Sequence, residues 1–293
     1  MTDTLMINTH LITQEFAFQR ATSVAEALSW LARHGEETHV LAGGTDLLVQ
    51  MKLERVTVTH ILYIGRLEEL RQIREDEGVT LGALVSVYDL QRTSRIREHY
   101  TALYEAARAF TGTQIKVMAS LGGNLCNASP AADSAPPLLV FDARVVLRTA
   151  RGERSVPIAD FFLGPGKTVR TPDELLVAVQ LPPPAEGEGS AFLKIGRVGA
   201  DIAKVNVAAR LVRDGDRIAD CRIALGAVAP TPLRARQAES ALIGKPFTRS
   251  SLEEAAHLAA TETAPITDIR STATYRLQVA RVLVRDALSM AWE

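Results

Sequence analysis

Two glycine pairs carry the clearest chemistry this sequence offers. The first lies in Leu41-Ala42-Gly43-Gly44-Thr45-Asp46-Leu47. The second lies in Ala119-Ser120-Leu121-Gly122-Gly123-Asn124-Leu125-Cys126-Asn127, with Ser129, Pro130 and Asp133 close behind. Successive glycines let backbone N–H groups approach a ligand with no Cβ in the way, and a run of such groups forms a nest for anionic oxygens. Thr45, Ser120 and Ser129 add hydroxyls, Asp46 and Asp133 add acceptors, and Asn124 and Asn127 both donate and accept. Either segment alone reads as an ordinary turn with its own Asx hydrogen bonds. Two of them in one domain are most economically explained by a diphosphate held between two amide nests. Neither has the G-x-G-x-x-G or G-x-x-x-x-G-K-S/T spacing of the common nucleotide loops. Gly164-Pro165-Gly166-Lys167-Thr168 imitates the end of the second pattern, but Pro165 removes an N–H and the upstream glycine is missing, so it reads as a surface turn.

The elements that must hold these segments follow from periodicity. Ser23 and Glu26 have capping-box spacing ahead of a helical stripe of Val24, Ala27, Leu28 and Leu31, and Gly35 is placed to end that helix. The apolar run Val40 to Ala42 predicts a buried strand running into the first glycine pair, with a helix from Leu47 to Lys52 and a strand from His60 to Ile64. Gly78 to Val85 alternates like a strand, Tyr100 to Phe110 is helical, and Gln114 to Asn127 is less regular. A short helix at Pro136 to Phe141 precedes strands at Arg144 to Thr149 and Leu175 to Leu181. Pro182-Pro183-Pro184 followed by Ala185-Glu186-Gly187-Glu188-Gly189 marks a linker. Beyond it, Ala191 to Arg197, Lys204 to Arg213 and Arg217 to Val228 read as strands, with a hairpin turn at Asp214-Gly215-Asp216. Helices follow at Ala235 to Ile243, Ser251 to Thr263 and Ala273 to Met290.

Composition excludes several classes. The chain has 293 residues, with 33 Lys and Arg against 34 Asp and Glu and a net charge of -1. No global field draws it to nucleic acid or an anionic membrane. The two cysteines, Cys126 and Cys221, cannot by themselves ligate an iron–sulfur cluster or structural zinc. The six histidines are scattered without ligand spacing, so no metal is expected. No apolar run is long enough to span a bilayer. Met1 to Glu15 lacks the pattern of a signal peptide, and a cytoplasmic location is the default expectation. No Ser/His/Asp nucleophile pattern occurs, and no catalytic residue is assigned.

In combination these motifs resemble the FAD-binding medium subunit of molybdenum hydroxylases, the group of the xanthine dehydrogenase and aerobic carbon monoxide dehydrogenase flavoproteins. Ala42 to Asp46 is similar to that family's A-G-G-x-D/S loop, and Ser120 to Asp133 to its T-I-G-G-N-x-x-x-A-x-P-x-x-D stretch. Asp201 to Val205 and Val228 to Ala235 resemble its C-terminal domain. Leu121 stands where isoleucine is usual, Lys116 where arginine is common, and Phe192 where some members carry tyrosine. The cysteine-rich insertion of members that reduce aromatic thioesters is absent.

The resemblance implies an α+β fold: a two-subdomain FAD-binding domain of the PCMH/vanillyl-alcohol-oxidase type over 1–181 (subdomains about 1–64 and 65–181). A small C-terminal domain of antiparallel sheet plus helices would cover 190–293. It implies that FAD lies between the subdomains with its diphosphate on Gly43-Gly44 and Gly122-Gly123. Val40, Leu41, Ala42, Gly43, Gly44, Thr45, Asp46 and Leu47 would give mostly main-chain contacts. Ser120, Asn124, Asn127 and Asp133 would hold the ribityl and phosphate portion, Gly82 and Ala83 would lie near the cofactor, and Leu176 and Lys194 near the isoalloxazine. It implies a large molybdenum-cofactor subunit and a small [2Fe-2S] subunit as partners, arranged as a dimer of heterotrimers. Electrons would pass through FAD to NAD, oxygen or a quinone. The competing expectation is a self-contained FAD oxidoreductase of the same broad fold.

Overall fold

The computed structural model describes residues 11–293. Residues 1–10, on which the signal-peptide expectation largely rests, lie outside the described residues, as does His10. The first unit is built from β1 (Ala17–Arg20), α1 (Val24–His34), β2 (Thr38–Leu41), α2 (Leu47–Lys52) and β3 (His60–Tyr63). Its three strands pair in parallel in the order β1-β3-β2, with α1 packing Val24, Ala27, Leu28 and Leu31 against them. Ser23 caps α1 by accepting from the Glu26 amide. α1 ends at His34 with Gly35 as its C-cap, as expected; Gly35 stays right-handed, φ -57°, and the chain continues into one 3₁₀ turn.

The middle unit runs through β4 (Ile73–Glu75), β5 (Val79–Gly82), α3 (Val87–Leu90), α4 (Ser94–His99), α5 (Thr101–Ala109), α6 (Thr113–Met118), α7 (Leu121–Cys126), α8 (Ala135–Val140), β6 (Arg144–Thr149), β7 (Gly152–Pro157), β8 (Phe162–Gly164), β9 (Lys167–Thr168) and β10 (Leu175–Leu181). Its antiparallel sheet has the order β4-β5-β10-β6-β7. The stretch from Gln114 to Asn127, expected to be less regular, forms two short helices. They are separated by Ala119 and Ser120, and the Ser120 hydroxyl caps the second helix by accepting from Gly123 N–H.

The last unit contains β11 (Glu188–Ile195), β12 (Val205–Asp214), β13 (Arg217–Gly226), β14 (Leu233–Arg234), α9 (Arg236–Leu242), α10 (Arg249–Thr261) and α11 (Ala273–Trp292). Gly215 turns the β12–β13 hairpin at φ +59°. The strands alternate with period two. Val205, Val207, Ala209 and Leu211 of β12 enter the core beneath the helices, while Ala208 of β12, Ala224 of β13 and Phe192 of β11 join the core of the middle unit.

That second contact is anchored by polar groups. The Ala102 amide donates to Ser190 Oγ at 3.1 Å and the Phe192 amide to Glu105 at 2.6 Å. Lys194 Nζ, on β11, meets Asp133 Oδ2 at 2.6 Å with both side chains nearly buried, 6% and 7% exposed. Asn206 Nδ2 donates to the other oxygen of Asp133 at 2.8 Å. Removing one member of a buried ion pair strands the other charge, at a cost of about 3–5 kcal/mol. Lys194→Met is therefore expected to lower stability by about that amount in a denaturant titration, and Asp133→Asn combined with it to recover part of the loss. Equal stability of the single and double variants would contradict the pairing.

Candidate functional site

The first glycine pair lies at the C-terminal end of β2, an edge strand of the parallel sheet. A Cβ on Gly43 would overlap the Met118 carbonyl oxygen, so a glycine is required for the loop to lie on the backbone at the end of α6. Gly44 turns at φ +74°, a left-handed conformation that side chains disfavour. Among the described residues, the amides of Gly43, Gly44, Thr45, Asp46 and Leu47 donate to no other group of the chain, whereas the next amide, Leu48, donates to the Gly44 carbonyl. A run of unused N–H groups around a left-handed glycine is an anion nest.

The second pair does not repeat this. Gly122 N–H donates to the Ala83 carbonyl at 2.9 Å and Gly123 N–H to Ser120 Oγ at 3.2 Å. The expectation of two equivalent amide nests is corrected here. The second glycine pair is the first turn of a short capped helix fastened to 83–87, and its amides are already taken. What this side presents to the cleft is a close-packed wall and the side chains of Asn124 and Asn127.

The two segments face each other across one cleft of about 710 Å³, within the ~300–1,000 Å³ usual for small-molecule sites. Asn127 spans it, donating from Nδ2 to Asp46 Oδ1 at 3.0 Å and accepting from Gln50 Nε2 at 3.1 Å. Asn124 Oδ1 accepts from Ser134 Oγ at 2.6 Å. Burial of the surrounding segment pushes the Asp46 carboxyl above its usual range.

Of the residues expected at the site, Val40 through Leu47, Ala83, Ser120, Gly122, Gly123, Asn124, Asn127 and Leu176 line this cleft. Gly82, Asp133 and Lys194 do not. Gly82 is held in β5, its amide donating to the Gln72 carbonyl at 2.9 Å. Asp133 and Lys194 are taken up with each other, and Lys194 Nζ also donates to the carbonyls of Ala109 and Phe110, at 3.3 and 3.2 Å. Since Phe110 lines the cleft, this pair sits behind that wall. The turn at Gly164–Thr168, expected only at the surface, contributes Gly166 to the lining.

The sequence reading missed Gln50, Phe110, His39 and Arg170. Gln50 carries a usable signal, four residues beyond Asp46 and so on the same helical face. The others are brought to the cleft from β2, the end of α5 and the segment before β10, and nothing local marks them. Its lining mixes apolar residues, among them Ala83, Leu84, Phe110, Ala119 and Leu176, with polar ones, among them Glu36, Thr38, His39 and Arg170.

An amide nest in a cleft with both apolar and polar lining fits a dinucleotide joined by a diphosphate. Comparison with known proteins agrees. The sequence model for the FAD binding domain in molybdopterin dehydrogenase matches residues 14–184, and that for the CO dehydrogenase flavoprotein C-terminal domain matches residues 190–291. The chain belongs to the FAD-binding medium-subunit family of xanthine dehydrogenase and CO dehydrogenase.

Among the relatives of this medium-subunit chain, the xanthine dehydrogenase FAD-binding subunit of Escherichia coli O157:H7 is 36% identical over 279 residues, 94% of this chain and 95% of that one. The carbon monoxide dehydrogenase medium chain of Hydrogenophaga pseudoflava is 34% identical over 283 residues, 96% and 99% of the two chains. In solved structures, a chain of the Hydrogenophaga pseudoflava carbon monoxide dehydrogenase lacking the Mo-pyranopterin moiety superposes with a TM-score of 0.93 at 35% identity, covering 96% and 99% of the two chains. A chain of quinoline 2-oxidoreductase from Pseudomonas putida 86 gives 0.89 at 26% identity, covering 95% and 97%. The medium-subunit architecture is therefore that of the two-subdomain FAD-binding domain followed by a sheet-and-helix C-terminal domain.

Burial, reinforced by the Arg170 guanidinium, pulls the His39 imidazole below its ordinary value of 6.5. A depressed histidine contributes stability that is complete above the unfolded value and is lost as pH falls through the folded one. The denaturation midpoint is expected to fall on acidification below about pH 6.5, and His39→Gln to flatten that slope. An identical slope in the variant would show that His39 is not the titrating group.

Proposed function

We propose that this chain holds FAD as the electron-transfer subunit of a molybdenum-containing hydroxylase or dehydrogenase. It would receive electrons from [2Fe-2S] clusters on a small partner subunit and deliver them to an outside acceptor. The observation that carries the reading is the row of unused amides from Gly43 to Leu47 in a cleft with both apolar and polar lining. The nest suits the diphosphate. The apolar lining of Ala83, Leu84, Phe110, Ala119 and Leu176 suits a flat tricyclic ring, and the polar lining of Thr38, His39 and Arg170 suits the adenosine. FAD, when bound, supplies the ability to take electrons singly and release them as a pair.

The residues of the chain bind and orient. Asn127 ties α2 to the end of α7 across the cleft, which holds the nest at a fixed distance from the opposite wall. The apolar wall keeps water from one face of the ring. A self-contained oxidoreductase would need an acid or base beside the ring, and none of those five wall residues titrates. The substrate chemistry is accordingly assigned to a large molybdenum-cofactor subunit. The assembly is taken as a dimer of heterotrimers in the cytoplasm, with NAD, oxygen or a quinone as acceptor. No helix of the described residues is long and apolar enough to cross a membrane. The domain boundaries that accompany this reading, 1–181 with subdomains about 1–64 and 65–181, then 190–293, are supported by the separate sheets.

Loss of the two hydrogen bonds of Asn127 is worth about 0.5–1.5 kcal/mol each. Asn127→Ala is therefore expected to weaken FAD binding roughly tenfold in a fluorescence titration, with little change in secondary structure. Purified from its source, the chain is expected to co-elute with molybdenum and iron. A chain that is active alone, free of both metals, would sink the subunit assignment.

A further inference from the structure

Reduction of a bound flavin by two electrons and one proton leaves one negative charge on the ring, so a fixed positive charge nearby favours the reduced form. Lys194 is the obvious candidate by sequence, but its ammonium is 2.6 Å from the Asp133 carboxylate. A paired charge projects little net field beyond its partner. The neighbouring Lys116 differs. It is 7% exposed, and its Nζ donates to the Arg108 carbonyl at 2.6 Å and to Gln91 Oε1 at 3.0 Å. Both partners are neutral, and among the described residues no ion pair includes Lys116. Arg108 itself is exposed, where water screens its charge.

The position of Lys116 brings this charge behind the part of the cleft wall that Phe110 and Ala119 form. Arg108, whose carbonyl it holds, lies two residues before Phe110, and two residues of backbone span at most about 7 Å. Its helix α6 leads directly to Ala119. Phe110 and Ala119 both line the cleft. Burial, above all, lowers the affinity of Lys116 for its proton.

We propose that Lys116, and not Lys194, supplies the uncompensated positive charge behind the Phe110–Ala119 wall of the cleft, and that it sets how readily the bound cofactor takes electrons. The inference rests on the FAD reading above. Lys116 is not among the residues that line the cleft and acts through its field, so its effect should be seen in the potential of the cofactor rather than in binding.

The full-length chain loaded with FAD would be titrated spectroelectrochemically. Lys116→Met is expected to lower the ratio of reduced to oxidised flavin at a fixed potential about tenfold, which for a two-electron couple is about 30 mV. Lys116→Arg should retain the wild-type potential. Gln91→Glu keeps the lysine but sets a carboxylate against it, and should shift the potential in the same direction as Lys116→Met. Asp133→Asn frees the Lys194 charge and should shift it the other way. FAD-loaded Lys116→Met and Gln91→Glu proteins with wild-type potentials would overturn the inference. If Lys116→Met does not fold, Gln91→Glu decides by itself. Failure of the wild-type chain to take up FAD would instead overturn the proposed function.

Discussion

Gly43 lies against the Met118 carbonyl with no room for a side chain, and the cleft exists because of that contact. It presses the loop after a parallel edge strand onto the backbone between two short helices of a different unit. With the loop held there, the left-handed turn at Gly44 leaves its amides unclaimed, and Asp46 comes within reach of Asn127. A Cβ at that single point would push the loop away. The amide nest and the Asn127 bridge both depend on the approach.

The opposite wall uses its glycines for a different purpose. Ala119 to Gly122 is stitched to 83–87: the Val87 amide donates to the Ala119 carbonyl, the Leu121 amide to Val85 and the Gly122 amide to Ala83. These bonds fix the start of α7 and, within 119–124, leave only the Ser120 amide without a partner in the chain. A buried N–H needs a partner, and here the protein itself supplies it. Backbone donors for an anion are therefore concentrated in 43–47, with the Ser120 amide and the side chains of α7 on the opposite side.

Charge is organised on the same division of labour. Asp133, from the loop before α8, is closed off by Lys194 and Asn206 of the C-terminal sheet. Burial raises its carboxyl against the pull of the lysine. That triad ties the two domains together behind Phe110. Lys116, on the neighbouring helix, is satisfied by two neutral oxygens.

Periodicity in the sequence was enough to determine the elements with strong local patterns. The capped helix after Ser23, the strands at Arg144–Thr149 and Leu175–Leu181, the Asp214–Asp216 hairpin and the C-terminal helices stand where the residues place them. Glycine spacing likewise located both walls of the cleft. The two helices within 113–126 escaped because each is only six residues long, too short for a 3.6-residue period to show. Only the tertiary structure decided which amides remain free and which lysine is neutralised. The partners responsible come from distant chain segments: Ala83 for Gly122, Asp133 for Lys194, and Arg108 with Gln91 for Lys116. A hydrogen bond or ion pair depends on separation in space, and the local sequence around one member carries no record of where the other will be.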